Sequence, residues 1–338
     1  MSRSTNTSLS SLGEFGLIDR IRARFPQPAP PELGIGDDAA LLNPSPGMQL
    51  VVSTDLLAEG VHFERSFGPL RLLGRKALAV NLSDLAAMGA KPRWFFLSLA
   101  IPAGFPLEEI EALLDGLAEQ AAEHGVLLAG GDTCGSKSGL VISVTVMGEQ
   151  RPELVLRRSG ARPGDDVWVS GTLGDSALGL QLLLAGYEKK GDVATEYVVS
   201  RHLDPTPRCE LGQALADAGL VSAMIDISDG LLADLGHLCH QSGCGAEIEL
   251  TQIPRSAPFD AVTAGASPTP WQLVVAGGED YELCFTAPPA GRAAILETAN
   301  SAGVPVTVIG KVSDSGQVVA CLPDGSNFQP SASGYTHF

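Results

Sequence analysis

The chain has 338 residues, enough for two domains of ordinary size. Hydrophobic residues make up 44% and charged residues 18%, a composition typical of a folded globular protein, which excludes a mainly disordered chain. Asp and Glu (39) outnumber Lys and Arg (22), and because the formal net charge is -17, neither nucleic acid nor an anionic membrane is expected as a partner.

Cysteine usage and hydropathy indicate the compartment. The six cysteines show no C-x-x-C pair and no zinc-ligand spacing, so we expect reduced core residues in a cytoplasmic protein. The sequence shows neither the apolar core of a signal peptide nor an apolar run long enough to span a membrane. Residues 1–11 are expected to form a disordered tail.

Helix and strand patterns in the first half mix without a strict βαβ rhythm. Glycine-rich turns, GIGDD (34–38) and GGD (130–132), separate several of the elements. We expect residues 12–149 to form one domain. Its predicted elements are a helix at 14–25, a strand at 49–55, a helix at 69–88, a strand at 93–100, a helix at 107–124 and a strand at 140–147.

Arg and Pro concentrate in RPELVLRRSGARPGD (151–165), where we place the join to a second domain, residues 150–338. The expected fold is α+β (mixed α/β) with two domains, an N-terminal sheet-plus-helices domain and a C-terminal α/β domain. The second half is predicted to hold strands at 166–170, 223–227, 245–250, 273–276, 281–286, 304–312 and 317–321, and helices at 174–186, 207–219, 230–242 and 290–302.

Several acidic residues stand in apolar or glycine-rich stretches. Asp84 is the sharpest case, because its helix, KALAVNLSDLAAMGA, is apolar nearly all round and a buried carboxylate needs a partner. Any one of these acids could be a helix cap or turn residue, but together they predict cation binding. Nearby hydroxyls and the scarcity of His and Cys favour Mg²⁺. The acids are Asp37, Asp38, Asp55, Asp84, Asp132, Asp226 and Asp229.

Phosphoryl transfer is a chemistry that uses carboxylate-bound magnesium. The stretch GGDTCGSKS (130–138) is not a Walker loop, since Ser136 stands where Lys is required, and protein-kinase signatures are missing. Its glycines still allow backbone to approach a phosphate closely. The sequence therefore predicts an ATP-using enzyme of neither common type.

An ordered set of motifs spans nearly the whole chain and resembles the thiamine-monophosphate kinases, in the superfamily of aminoimidazole ribonucleotide synthetase and selenophosphate synthetase. Of these motifs, GVHF and GGEDYEL are more specific than any single acid. The motifs are GEFGLI (13–18), GIGDDAAL (34–41), STDLLAEGVHF (53–63), NLSDLAAMGAKP (81–92), GGDT (130–133), RSGARPGD (158–165), IDISDGLLADLGH (225–237) and GGEDYELCFT (277–286).

The resemblance implies ATP-dependent conversion of thiamine monophosphate to thiamine diphosphate, by direct transfer assisted by several Mg²⁺ ions. It also implies a homodimer in which the N-terminal domains join their sheets. No side chain is expected to act as a catalytic base, because the acceptor phosphate is largely ionised at neutral pH. The implied Mg²⁺ ligands are Asp38, Ser53, Thr54, Asp55, Asp84, Asp132, Asp226 and Asp229; the ATP contacts are Gly131, Asp132, Arg158 and Ser228; the substrate contacts are His62, Glu279 and Tyr335.

Simpler interpretations stay open for some of these residues. Without the resemblance, His62 would be an ordinary core or surface histidine, and Glu279 and Asp280 would be solvated acids in a turn. Thr336 stands where the family usually has an acid, which weakens the inference about the C-terminal residues. The alternative functions are an ATP-dependent ligase or cyclase of the same superfamily, or a protein that binds magnesium and nucleotide without catalysis.

Overall fold

The computed structural model describes residues 9–187, 191–265, 270–332 and 334–335. They form two compact units: one holds the chain up to Leu85 together with Pro92–Glu149, and the other holds Ala86–Lys91 and the chain from Gln150 onward. Residues 1–8 of the expected tail lie outside the described residues, and the first helix begins at Leu9. Both units combine helices with a sheet, so the predicted mixed α/β class is confirmed.

The N-terminal unit is built on a four-stranded sheet of order β1-β4-β2-β3, in which β2 and β3 run parallel. Its long helix α2 is buried nearly all round, with Leu78, Leu82 and Leu85 fully inaccessible, as its sequence predicts. The elements are α1 (Leu9–Arg24, interrupted at Gly13), β1 (Gln49–Ala58), α2 (Leu70–Ala87), β2 (Lys91–Pro102), α3 (Leu107–His124), β3 (Leu127–Ser136) and β4 (Val141–Gln150).

Strand β1 lies at an edge of this sheet, and its side chains alternate in exposure. Val51, Ser53 and Asp55 are partly buried, whereas the residues between them are exposed. Leu50, Val52 and Leu56 make the exposed face unusually apolar, with up to 55% of a side chain accessible. One strand thus presents a polar, half-buried face and an apolar, open face.

The C-terminal unit is built on a six-stranded mixed sheet of order β10-β7-β9-β5-β8-β6, over a continuous apolar core. Only β10 and β7 of these neighbouring strands pair in parallel. The elements are β5 (Asp166–Ser170), α4 (Asp175–Leu184), α5 (Val193–Leu203), α6 (Cys209–Asp217), β6 (Ala223–Asp226), α7 (Leu231–Ser242), β7 (Gly245–Glu249), α8 (Ala257–Val262), α9 (Trp271–Val275), β8 (Leu283–Ala287), α10 (Arg292–Ser301), β9 (Val306–Ser313) and β10 (Val318–Cys321).

One predicted element was wrong, and several elements of the structure, α5 among them, were not predicted. The segment predicted as a strand at 273–276 belongs mostly to helix α9. Val274 and Val275 are fully buried in this short helix, so its sequence is as apolar as that of a buried strand. Helix α5 was not predicted, since its β-branched residues weaken the helical signal. Asp192 starts it by accepting hydrogen bonds from the first free backbone N–H groups. None of the helices in the described ranges is both long and apolar enough to cross a membrane.

Candidate active site

Three of the predicted magnesium ligands, Ser53, Asp55 and Asp84, lie close together where β1 meets α2. The Ser53 hydroxyl donates to Asp84 Oδ2 at 2.5 Å, and the backbone N–H of Asp55 donates to Asn81 Oδ1 at 3.0 Å. Asn81 is itself held by donating to the Ala77 carbonyl at 3.0 Å. The buried asparagine therefore fixes the strand against the helix one turn before Asp84, and the two carboxylates come close enough to repel each other.

That repulsion is visible in the acidity of Asp55. Burial, and secondarily the neighbouring charge of Asp84, raise the pKa of Asp55 from 3.8 to about 6. Two carboxylates that disfavour each other's ionisation are a good place for a divalent cation, which removes both the repulsion and the proton.

Thr54 is not brought together with this pair. Its hydroxyl donates to the Val144 carbonyl at 3.2 Å and pairs with the Thr145 hydroxyl at 2.9 Å, on β4. Because strand side chains alternate, Thr54 faces away from Ser53 and Asp55. Its side chain is therefore not placed to join them as a ligand.

His62 lies directly after β1, and its ring is fixed by the strand's last residue. Nδ1 accepts a hydrogen bond from the Ala58 N–H at 3.1 Å, and the His62 N–H donates to the Ala58 carbonyl at 2.9 Å. A ring nitrogen that accepts cannot carry a proton, so neutral His62 has its proton on Nε2. The imidazole is thereby prepared as a hydrogen-bond donor.

A cavity of about 580 Å³ in the N-terminal unit brings three predicted ligand-binding residues together: Asp38, Gly131 and Asp132. The GIGDD turn forms one wall and the GGDT segment in the middle of β3 forms another, although these motifs are almost a hundred residues apart. Apolar and charged groups of α1 complete it, among them Phe15, Ile18, Asp19 and Arg22.

Two details of this cavity suit a bound ligand. Gly131 has φ 156°, and a Cβ there would lie 1.8 Å from the Leu97 carbonyl oxygen, so only glycine keeps the backbone this close to β2. Thr133 lines the same cavity, and its hydroxyl, although buried, has no hydrogen-bond partner within the described part of the chain. A buried hydroxyl of this kind usually has a hydrogen-bond partner, and a bound ligand or water would supply one.

In the C-terminal unit, Asp226 ends β6, and the loop that follows carries Ser228 and Asp229. This loop is organised by Asp234, to which the sequence interpretation gave no role. Asp234 Oδ2 accepts hydrogen bonds from the N–H groups of Ser228, Asp229 and Gly230, at 3.0, 3.1 and 3.1 Å. Burial, and then the charge of Asp229, raise the pKa of Asp234 to about 7. Asp234 therefore shapes the loop. Of the two candidate ligands, Asp226 is buried at the end of β6 and Asp229 is partly exposed in the loop.

The motif GGEDYEL packs on the same loop. The Glu279 N–H donates to the Ser228 carbonyl at 2.7 Å, and a Cβ at Gly278 would lie 2.5 Å from that carbonyl oxygen. Glu279 and Tyr281 have φ of 65° and 51°, the positive-φ values recorded for non-glycine residues in the described ranges. Strained backbone of this kind persists only where the surroundings enforce it, and it is common at functional sites.

Two buried acids enforce that conformation. Asp280, only 1% exposed, accepts hydrogen bonds from the N–H groups of Gly174 and Ser176 at the start of α4, at 2.8 and 3.3 Å. Burial raises the pKa of Asp280 to about 7. Glu282 accepts hydrogen bonds from Ser170 Oγ and Arg208 Nε at 2.6 and 2.7 Å. The interpretation of Asp280 as a solvated turn acid is therefore wrong.

The remaining two predicted contacts are placed differently from each other. The Tyr335 N–H donates to the Asp229 carbonyl at 3.1 Å, which puts this half-exposed aromatic beside the loop after β6. Arg158 is exposed, and its carbonyl accepts from the Ser242 hydroxyl at 3.2 Å. None of its described hydrogen bonds joins Arg158 to Ser228. Thr336 lies outside the described residues.

Within the described ranges, no set of three or more His, Cys, Asp or Glu side chains is arranged to hold a metal ion. Magnesium usually takes only one or two protein carboxylates and completes its shell with water and substrate phosphate oxygens. The Asp55 and Asp84 pair, with its mutual repulsion, fits that demand. ATP-bound Mg²⁺ is therefore compatible with the residues present.

Comparisons with known proteins agree with the motifs. The chain matches two family models, AIR synthase related protein, N-terminal domain, over residues 36–150 and AIR synthase related protein, C-terminal domain, over residues 162–321. It is 42% identical over 332 residues to the thiamine-monophosphate kinase of Salmonella typhimurium, covering 96% of this chain and 98% of that protein.

Solved structures give the same result. The crystal structure of thiamine-monophosphate kinase from Stenotrophomonas maltophilia K279a is similar with a TM-score of 0.82 and 42% identity, covering 94% of this chain and 98% of that one. A structure of AaThiL complexed with AMPPCP and TMP matches with a TM-score of 0.77 and 35% identity, covering 99% of this chain and 100% of that one. The chain therefore belongs to the thiamine-monophosphate kinase family, within the AIR synthase related proteins.

Proposed function

We propose that this protein transfers the terminal phosphoryl group of ATP to thiamine monophosphate, giving thiamine diphosphate and ADP. The observation that carries this proposal is the full-length similarity to AaThiL, a protein solved with AMPPCP, an ATP analogue, and TMP together. The cavity in the N-terminal unit and the loop assembly in the C-terminal unit supply the kinds of residues that such a reaction needs.

The cavity with Asp38, Gly131 and Asp132 is proposed to take part of the nucleotide. Gly131 brings backbone close to a phosphate, the unpartnered Thr133 hydroxyl is available to a ligand oxygen, and the apolar side chains of α1 suit a nucleobase. Ser228 and Arg158 are the further ATP contacts that we propose.

Catalysis would depend on carboxylates that bind metal rather than on a general base. Mg²⁺ bound at these carboxylates would neutralise phosphate oxygens and lower the repulsion between ATP and an acceptor that is itself an anion. Ser53 orients Asp84, Asn81 orients Asp55, and Asp234 shapes the loop of Asp226 and Asp229. His62 in the N-terminal unit, and Glu279 and Tyr335 in the C-terminal unit, are the residues that we propose as contacts of the acceptor. An in-line transfer follows from holding both phosphates in place.

The open apolar face of β1 supports a proposed homodimer. Leu50, Val52 and Leu56 stand in one row at a sheet edge, where a second copy of the chain would cover them. Light scattering tests this: the wild type should have twice the mass of one chain, and Val52→Asp should reduce the dimer fraction. A wild type that is monomeric at micromolar concentration contradicts the proposal.

The decisive test of the activity is to incubate the purified protein with ATP, Mg²⁺ and thiamine monophosphate and to follow thiamine diphosphate and ADP separately. We expect equal amounts of both products, and no reaction with a chelator. Thiamine without its phosphate serves as the control acceptor and should not be converted.

Other outcomes distinguish the alternatives. ADP released without thiamine diphosphate, and only when an aminoimidazole precursor is added, would indicate a ligase or cyclase. ATP binding without turnover of any acceptor would indicate a protein that binds nucleotide and magnesium without catalysis.

A further inference from the structure

His202 is a buried histidine that lies beside a predicted substrate contact and that the sequence motifs do not assign. It stands near the C-terminal end of α5, and its Nδ1 lies 3.2 Å from Glu279 Oε2. The same nitrogen lies 3.1 Å from the Ser176 hydroxyl, at the start of α4. Three elements that are distant in sequence therefore meet at one imidazole nitrogen.

The chemistry of the pair determines where the proton lies. An ionised carboxylate can only accept hydrogen bonds, so His202 can pair with Glu279 only when Nδ1 carries a hydrogen; without one, Nδ1 would accept from the Ser176 hydroxyl instead. Both contacts use Nδ1, so this is not the relay of a serine nucleophile, in which the base and its orienting acid use opposite ring nitrogens. The nearby carboxylate favours the form with a hydrogen on Nδ1, in which His202 donates to Glu279.

Glu279 and His202 differ in how accessible they are to a ligand. The side chain of Glu279 is 26% exposed, whereas that of His202 is 4% exposed. A ligand in the C-terminal unit can reach the carboxylate but not the imidazole. His202 therefore acts through Glu279 rather than on the substrate.

The backbone of Glu279 is already fixed by its neighbours. Its N–H is bound to the Ser228 carbonyl, Asp280 is anchored at the start of α4, and its φ of 65° leaves few alternative conformations. What remains adjustable is the direction of the side chain, whose Oε2 lies 3.2 Å from Nδ1 of His202.

We infer that His202 is a positioning residue that holds the Glu279 carboxylate in the orientation in which it binds the acceptor substrate. A neutral donor leaves the charge of Glu279 intact, which suits a cationic group, and the thiazolium ring of thiamine monophosphate carries a permanent positive charge. This inference rests on the proposed function.

Substitutions at His202 can mimic one ring nitrogen at a time. The amide of Asn occupies the region of Nδ1, whereas the amide of Gln reaches the region of Nε2. We expect His202→Gln to raise the KM for thiamine monophosphate at least tenfold and to leave the KM for ATP within twofold. His202→Asn should restore the KM for thiamine monophosphate to within threefold of the wild type. His240→Asn, an exposed histidine near the end of α7, is the matched control and should change neither.

A double-mutant cycle tests whether the effect passes through Glu279. Glu279→Gln should raise the KM for thiamine monophosphate. The double variant that also carries His202→Gln should have a KM less than twofold above that of Glu279→Gln alone. Independent effects that multiply, or equal rises in the KM values for thiamine monophosphate and ATP, would overturn the inference. So would a His202→Gln variant that loses thermal stability but keeps both KM values.

A spectroscopic measurement does not depend on the reaction. In ¹H–¹⁵N spectra of the wild type, His202 should carry a proton on Nδ1, and Glu279→Gln should change that resonance. A ring protonated only on Nε2 would refute the contact, even if His202→Gln failed to fold. A wild type that does not phosphorylate thiamine monophosphate refutes the proposed function instead, and the spectra then still decide whether the contact exists.

Discussion

Replacing Asp84 by Asn should make the metal-free protein more stable while abolishing its activity. The pKa of Asp55 rises from 3.8 to about 6, which corresponds to roughly 3 kcal/mol against the ionised form. Burial is the larger cause and Asp84 the smaller, so removing the charge of Asp84 should return about 1 kcal/mol at pH 8. The Asn side-chain oxygen can still accept from Ser53, so this contact persists.

The sign of the pH dependence follows from the same shift. A carboxyl group whose folded pKa is raised contributes stability at low pH, and that stability is lost as pH rises through about 6. The melting temperature of Asp84→Asn should therefore be about 2 °C above that of the wild type at pH 8 in chelator. At pH 4.5 this difference should be much smaller. With Mg²⁺ the order should reverse, because only the wild type keeps both carboxylates.

Thermal unfolding followed by circular dichroism, with and without Mg²⁺, measures these differences, and the product assay should show at least a hundredfold loss of turnover. Glu297→Gln, which removes an exposed acid from α10, is the control for net charge. A lower melting temperature of Asp84→Asn in chelator at pH 8 would refute the electrostatic reasoning. Normal turnover would remove Asp84 from the metal site.

Three further predictions test other residues. Gly131→Ala should raise the KM for ATP at least tenfold, because the added Cβ would meet the Leu97 carbonyl at 1.8 Å, whereas Gly135→Ala, with nothing within 4 Å, should leave it within twofold; steady-state kinetics compare them. Thr54→Val should keep kcat within threefold, since that hydroxyl faces Thr145, but Ser53→Ala should lower kcat and weaken Mg²⁺ activation; equal effects would contradict the assigned faces. Because the pKa of Asp280 is raised to about 7, part of the stability should be lost as pH rises through 7, and Asp280→Asn should melt with a smaller drop between pH 5 and 8; an unchanged drop would assign the pH dependence to other groups.

The sequence indicated much of the site because its signals were local. Asp84 stood out as an acid in an apolar helix, and the structure gives it the partner that such a position requires, Ser53. The period of two along β1 also separates Thr54 from Ser53 and Asp55, so this difference is contained in the sequence.

Residues that act through long-range contacts left no such signal. Asp234 resembles an ordinary first-turn helix acid, and nothing local shows that it accepts three backbone hydrogen bonds. Asp280 follows two glycines, as a solvated turn residue would, but α4 lies about a hundred residues away in sequence and buries it. The partners of His202 come from two other segments of the chain. A local sequence pattern does not show which distant segments of the chain will be in contact.

The alternation along β1 has a consequence for insertions and deletions. Because successive side chains point to opposite faces, removing one residue from the strand would turn Asp55 to the open side and an exposed leucine or valine toward Asp84. The loop between β2 and α3 has no such alternation of faces that a length change would reverse. The length of β1 is therefore fixed by two requirements: Asp55 must face Asp84, and the apolar side chains must stay on the open face. Insertions and deletions, natural or engineered, should be tolerated less in this strand than in the loops.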